Sequence, residues 1–349
     1  MTFRNYHLGL VSAVAFALSG VFASAHAVDV VIAGAGGVSQ EARRTALWNP
    51  AAKTLGMTLS EDTSQNWGEV RAQVEAGAVT WDIVQLSMTE VGRAAAAGVI
   101  IKLPADIVNR NDYVPGSVND YCVGYDVYSQ AIGYSTEAYG GQGPQNMKDF
   151  WDVKKFPGKR GMYRDPRGNL EAAVLAMGHP KSEIYKFLST PEGRKAAMTK
   201  LAELKPYVIW WTSGAQAMQL VKSGEVPLIY TWNGRTQAAI DAGAKYKITF
   251  NDGVLQIDCD AIVKGAPHPE NALKFLKEIS KPQYAKDLPK YISYGSANLK
   301  AYEGYDEATL ARLASSPENI QKQYTVDFDF WNKFGAELSE AFDAMLISN

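Results

Sequence analysis

The chain has 349 residues, 46% of them hydrophobic and 21% charged, with a formal net charge of −2. That length is ample for two hydrophobic cores, and the interspersed charges form no basic stripe, which excludes nucleic acid as a natural partner. Eight tryptophans and eighteen tyrosines supply many flat, amphipathic side chains.

Residues 1–27 stand apart from the rest. Arg4 and His7 precede the uncharged run LGLVSAVAFALSGVFASA, which ends in AHA, with small residues at the −3 and −1 positions before Val28. This is the pattern of a secretory signal peptide cleaved after Ala27. The segment has no cysteine to carry a lipid anchor, and no later stretch is long and apolar enough to cross a bilayer. The mature protein is therefore expected in the periplasm. Cys122 and Cys259 are then two thiols in an oxidising compartment. An even count permits a disulfide, and two buried free thiols are the alternative. A bridge would close a loop worth about 5 kcal/mol in the chain-entropy account.

The first elements alternate. VDVVIAG reads as a strand, SQEARRTALWNPAAKTLG as a helix, MTLSED as a strand, NWGEVRAQVEAG as a helix, WDIVQLS as a strand and MTEVGRAAAAGVI as a helix. This βαβαβ rhythm predicts a parallel sheet with helices on both faces. The long run DYCVGYDVYSQAIGYS then leaves the first sheet for a second α/β unit. That unit contains strands at GKRGMY, VIWW and VPLIYTW, and a helix that starts at Thr190-Pro191, a natural cap followed by a natural first residue. GVLQIDCDAIVKG is a strand that returns, ahead of the Pro-started helix PENALKFLKEIS. The chain then crosses twice, with Cys122 on the outgoing strand and Cys259 on the returning one. A helical tail runs from about 305.

VVIAGAGGVSQEA imitates a dinucleotide fingerprint. However, Ser39 replaces the third glycine, and Glu61 and Asp62 fall further along than the expected spacing of about 20 residues. The backbone N–H groups at Gly36 and Gly37 are left as candidate receivers of a polar or anionic ligand group at a helix start. Past the leader only His179 and His268 remain, each beside a proline. No metal set, hydrolase triad or cofactor is expected. What remains is a set of polar and aromatic residues at strand ends, where open α/β sheets bind ligands. These are Ser87, Asp165, Arg167, Thr212, Ser213, Trp232, Asn233, Arg235, Asp258 and Tyr294. Trp232 is either core or a wall of a cleft, with carboxylates at its edge to hold a cation. Asp165 and Asp258 either cap turns or take the ligand, Tyr294 is a contact or a packing lid, and Arg164, Arg167 and Arg235 are ion-pair partners or face the solute.

At these residues the sequence resembles the periplasmic solute-binding proteins of bacterial ABC importers, in the spermidine/putrescine-binding family. The resemblance is carried by WDIVQLS, FWDVKKFPGKRGMYRDPRG, SGEVPLIYTWNG, GVLQIDCDAIVKGAPHPENALKFLKEISKP and YISYGSANLKA. It implies a two-lobed, Venus-flytrap (type II) periplasmic-binding-protein fold with two interdomain crossovers. Residues 28–131 and 256–303 would form one lobe, and 132–255 and 304–349 the other. It implies a monomeric receptor, not an enzyme, that hands a small solute to an inner-membrane ABC permease. Its ligand residues map onto Trp232, Asp258, Asp165, Tyr294 and Ser87, to which Gly37, Ser213 and Arg235 are added as candidates from the residues themselves. The family's aromatics are absent from GAGGVS, and Thr89, Gln256 and Gly168 replace an aromatic, a tryptophan and an acid. The expected solute is a polyamine-like small amine. The alternatives are a γ-amino acid or small carboxylate taken by an arginine, and, in another class, a secreted flavin- or nucleotide-dependent enzyme.

Overall fold

The computed structural model describes Met1, residues 28–63 and residues 67–348. The expected signal segment and its cleavage position lie outside the described residues. Among those described, no helix is long and apolar enough to cross a membrane.

Ten strands build the fold: β1 (Val30–Ala33), β2 (Leu59–Asp62), β3 (Ile83–Ser87), β4 (Cys122–Ser135), β5 (Arg160–Tyr163), β6 (Val208–Trp211), β7 (Leu228–Trp232), β8 (Tyr246–Ile262), β9 (Gly295–Ser296) and β10 (Tyr324–Thr325). Their order is β2-β1-β3-β8-β4-β7-β5-β6, with β9 beside β4 and β10 beside β8. At one end β1 runs parallel to β2 and β3, as the alternating rhythm predicts. At the other end β5 runs parallel to β6 and β7. The two parallel sets are joined by β4 and β8, which pair antiparallel along most of their length.

Those two strands carry the architecture. All fourteen residues of β4 are buried, because both faces of a sheet flanked by helices are covered. Ala131 belongs to the core built on β1 and β3, and Ile132, next along, belongs to the core built on β5 and β7. The register shifts between Gln130 and Ile132 at this change of core. The result is a mixed α/β molecule of two lobes, traversed by β4 and again by β8. β8 starts at Tyr246, earlier than the hydrophobic run GVLQIDCDAIV suggests. The expected lobe bounds imply a third passage at 304. Ala314 and Ile320 still pack in the first core, whereas Tyr324 and the helix Phe328–Ile347 pack in the second. We therefore place that change of lobe between Ile320 and Tyr324 rather than at 304.

The helix expected over 39–56 is continuous but not uniform. Gly37–Arg43 is α-helical, Arg44–Trp48 is widened to π geometry, and Asn49–Leu55 resumes the α-helix with Pro50 in its first turn. Pro50 lacks a donor and crowds the preceding turn, and the widening sits there. Cys122 and Cys259 are joined by a disulfide between β4 and β8, with Cα atoms 5.8 Å apart.

Candidate functional site

The cleft between the lobes is lined from both sides. A cavity of about 170 Å³ opens between Ser87, Thr89, Glu90, Tyr128, Gln256 and Asp258 of one lobe and Tyr163, Asp165, Arg167 and Trp232 of the other, with Gln130 on its floor. Strand periodicity explains the convergence. Directly opposed residues of an antiparallel pair share a face. Ser87 on β3 opposes Asp258 on β8, which opposes Asp126 on β4. One rung along, Gln256 opposes Tyr128. Gln130 opposes Trp232 on β7. Alternate residues of three strands thus present one polar face to the cleft.

Asp258 is 7% exposed and accepts a hydrogen bond from the Tyr128 hydroxyl at 3.2 Å. Ser87 caps the helix Met88–Ala96. Its side chain accepts from the Thr89 N–H, while Glu90 reaches back to the Ser87 N–H. This capping box aims the helix start and its exposed donors at the cleft. Burial raises the Glu90 carboxyl above its ordinary range, with Arg167 opposing that shift.

From the other lobe, Asp165 accepts the Arg167 N–H at 2.8 Å and lies 3.6 Å from its guanidinium. Arg167 then crosses the cleft: its Nη1 donates to Thr89 Oγ1 at 2.7 Å, and Thr89 donates to Ser87 Oγ at 2.9 Å. Burial works against the charge on Arg167, but Asp165 and Glu90 outweigh it and raise its pKa. Among these lining groups, three carboxylates face one guanidinium.

Trp232 is both core and wall. One side packs edge-on against the buried Trp211 at 5.1 Å and tilts over Tyr163 at 5.3 Å, and the side chain also lines the cleft. The two residues after it secure the lobes. Asn233 accepts the Ser129 N–H at 2.9 Å and donates to the Ser293 carbonyl at 2.7 Å. Gly234 lets Tyr294 approach, since a Cβ there would sit 2.4 Å from the Tyr294 ring.

Tyr294, Arg235, Ser213 and Gly37 do not line this cavity, nor do Thr212, Asn233 and Gly36. Tyr294 is buried behind Tyr128, stacked on it at 5.0 Å, and so supports the wall. Arg235 folds back over Gly214. Ser213 is exposed and caps the helix Gly214–Ser223. Gly37, at φ +56, starts the first helix away from the cleft. The anion cradle expected at the glycine loop is filled from within: Gln85 accepts the Ala35 N–H and Gln40 the Gly36 N–H. Glu90, Tyr128 and Gln130 were missed by sequence reasoning. The signals were there, in the Ser-x-x-Glu box and in the alternation of Asp126, Tyr128 and Gln130. A second cavity of about 390 Å³ opens between the helix Asn233–Asp241 and residues 286–312. It is lined by Asp241, Lys286, Lys290 and Arg312 but by none of the expected site residues, so the smaller cleft, where Ser87, Asp165, Arg167, Trp232 and Asp258 converge, is taken as the site.

Comparison with known proteins finds relatives of the same architecture. The profile described as bacterial extracellular solute-binding protein matches residues 52–327. The solved structure of the PBP MotA from A. tumefaciens B6 in complex with glucopine is 53% identical, covering 91% of this chain and 100% of that one, with a TM-score of 0.86. The gamma-aminobutyric acid-binding protein of Pseudomonas aeruginosa is 32% identical over 324 residues, 92% of each chain. The spermidine/putrescine-binding periplasmic protein of Escherichia coli is more distant, 26% identical over 231 residues, 63% of this chain and 64% of its own.

Proposed function

The chain belongs to the bacterial extracellular solute-binding proteins, the receptors of ABC importers, and from that premise we propose that its solute carries a carboxylate as well as an amine. Its work is binding and delivery to a membrane permease, not catalysis. The observation that carries the solute class is Arg167, a guanidinium beside Asp165 that lines the same cleft as Asp258 from the opposite lobe. An ammonium set at Asp258 and a carboxylate set at Arg167 would touch both lobes at once. Such a solute stabilises the closed form, because half of its contacts exist only there. Trp232 and Tyr163 form the apolar wall between the two ends.

This reading is preferred to the polyamine suggested by the family resemblance. A diamine reaching from Asp258 would bring its second ammonium toward Arg167, and two like charges in a closed cleft repel strongly. Three relatives favour the acid-bearing solute by their names: those solved or described with glucopine and γ-aminobutyric acid. Glucopine is the first candidate, on the strength of 53% identity over nearly the whole chain.

A thermal-shift panel on ligand-stripped mature protein tests the class. Glucopine or γ-aminobutyrate at about 100 times its dissociation constant should add about 2.7 kcal/mol of stability. Putrescine and spermidine should add less. Stabilisation by the polyamines alone would sink the proposal.

A further inference from the structure

Asp126 stands beside the proposed ammonium site without touching the cleft. It opposes Asp258 directly across the β4–β8 ladder, so the two carboxyl groups leave neighbouring strands on the same face. It is 1% exposed. The Asp258 backbone N–H donates to it, and its Oδ1 has no partner at all. An ionised carboxylate only accepts, with about four sites to fill. A buried anion with so few donors is poorly solvated.

The neighbours do not supply the missing charge. Among the described residues Arg43, from the helix Gly37–Arg43, is the cation facing the group, and it is committed to Asp260 by two bonds of 3.2 and 2.7 Å. It also lies 3.4 Å from the centre of the Tyr125 ring. The other titratable groups around Asp126 are Tyr125 and Tyr128 on β4, Asp258 and Asp260 on β8, and Tyr294 and Tyr302 from the segment that follows. Asp126 therefore faces two other aspartates, and the arginine nearest it is already bonded to one of them. Two carboxylates held together there cannot both ionise cheaply.

We propose that Asp126 is a positioning residue that holds the one proton of this pair, leaving Asp258 the single anion offered to the solute's ammonium. The proposal rests on reading the cleft as the solute site, and deepens it. Burial and the Asp258 carboxylate together push the Asp126 carboxyl well above the usual range, with Arg43 opposing. The protonated partner fixes the position and charge of Asp258 without adding a second charge. The site then asks for one positive centre at this end of the cleft. Both residues lie on the first-lobe side of the register shift between Gln130 and Ile132, and a second shift between Gly124 and Asp126 sets Asp126 opposite Asp258.

The test is carboxyl-carbon magnetic resonance on ligand-stripped protein labelled at the aspartyl Cγ, at neutral pH. One aspartyl resonance is expected at the protonated position, and it is lost in Asp126→Asn. A wild-type spectrum with every described aspartate ionised would overturn the proposal. So would a protonated resonance that survives in Asp126→Asn. If that variant does not fold, Asp126→Ser removes the same carboxyl, and the wild-type spectrum already excludes the idea if no protonated aspartate is present. No solute is needed, so this test and the thermal-shift panel fail independently.

Discussion

At the residue scale, the cleft is made by side chains whose neighbours leave them little choice. Asn233 is 1% exposed and its amide reaches from β7 to Ser129 and Ser293, both of the first lobe. Asn233→Ala should cost about 1–3 kcal/mol for each group left unpaired, measured by urea unfolding. Gly168 has φ +81, and a Cβ there would meet Gln130 Oε1 at 2.8 Å. Gly168→Ala should therefore destabilise by about 1–3 kcal/mol and displace the Gln130 amide from the cleft floor. This explains why no acid stands at 168: the space belongs to Gln130. Asp126 gives a pH prediction. Its folded pKa is raised, so its contribution to stability is complete below the ordinary aspartate range and declines as pH rises toward the folded value. The slope is about 1.4 kcal/mol per pH unit within that window. Thermal unfolding of wild type and Asp126→Asn across neutral pH should show the decline in the first and not in the second. Trp232, Asp165, Asp258 and Ser87 were legible in the sequence because strand ends of α/β sheets are where ligands sit. Tyr128, Gln130 and Glu90 were not. The first two look like ordinary alternation within a buried strand, and Glu90 looks like a helix cap.

At the element scale, β4 and β8 do what neither parallel set could do alone. Each runs from one core into the other, and each lends residues to the cleft, Tyr128 and Gln130 from β4 and Gln256, Ile257 and Asp258 from β8. The sequence announced both strands by their length, and the cysteines by their places on the outgoing and returning runs. It did not announce β10, a two-residue strand beside Val254 and Leu255, because so short a segment has no periodicity to read. Nor did it show that Arg43 turns inward: a helix with arginines at 43 and 44 reads as solvated, yet Arg43 is 1% exposed while Arg44 pairs near the surface with Glu61. The π turn that follows Arg43 is a backbone detail that side-chain spacing does not encode. The disulfide ties β4 to β8 within the first lobe. Replacing Cys122 and Cys259 by serine should lower stability by about 2–5 kcal/mol, read by denaturant unfolding, while solute affinity changes little because neither sulfur lines the cleft.

At the scale of the whole molecule, the lobes meet through few direct polar bonds. Arg167 reaches Thr89, Asn233 joins Ser129 and Ser293, and Arg312 reaches Asp241 at 2.8 Å. The latter is an exposed pair and adds little. A balance this light lets a solute decide it, since a few differential contacts suffice to shift an open–closed equilibrium. Small-angle scattering should accordingly show a smaller radius of gyration when solute is added to stripped protein. The family resemblance carried the fold and the class of function from sequence. The solute was left open between an amine and an acid taken by an arginine, because which of Arg167 and Arg235 faces inward depends on side-chain direction: Arg167 spans the cleft while Arg235 lies against Gly214.

The central claim is that an acid and an amine are held from opposite lobes, with Arg167 taking the acid. The most direct measurement is calorimetric titration of stripped wild type and Arg167→Ala with glucopine, γ-aminobutyrate and putrescine. The last two share a four-carbon chain and one ammonium, and differ at the far end. Wild type should bind an acid-bearing solute in preference to putrescine. Arg167→Ala should lose about 1.5–3 kcal/mol of that binding, roughly tenfold to a hundredfold in affinity, and with it the discrimination. Preference for putrescine in the wild type, or undiminished binding of glucopine and γ-aminobutyrate by Arg167→Ala, would contradict the account.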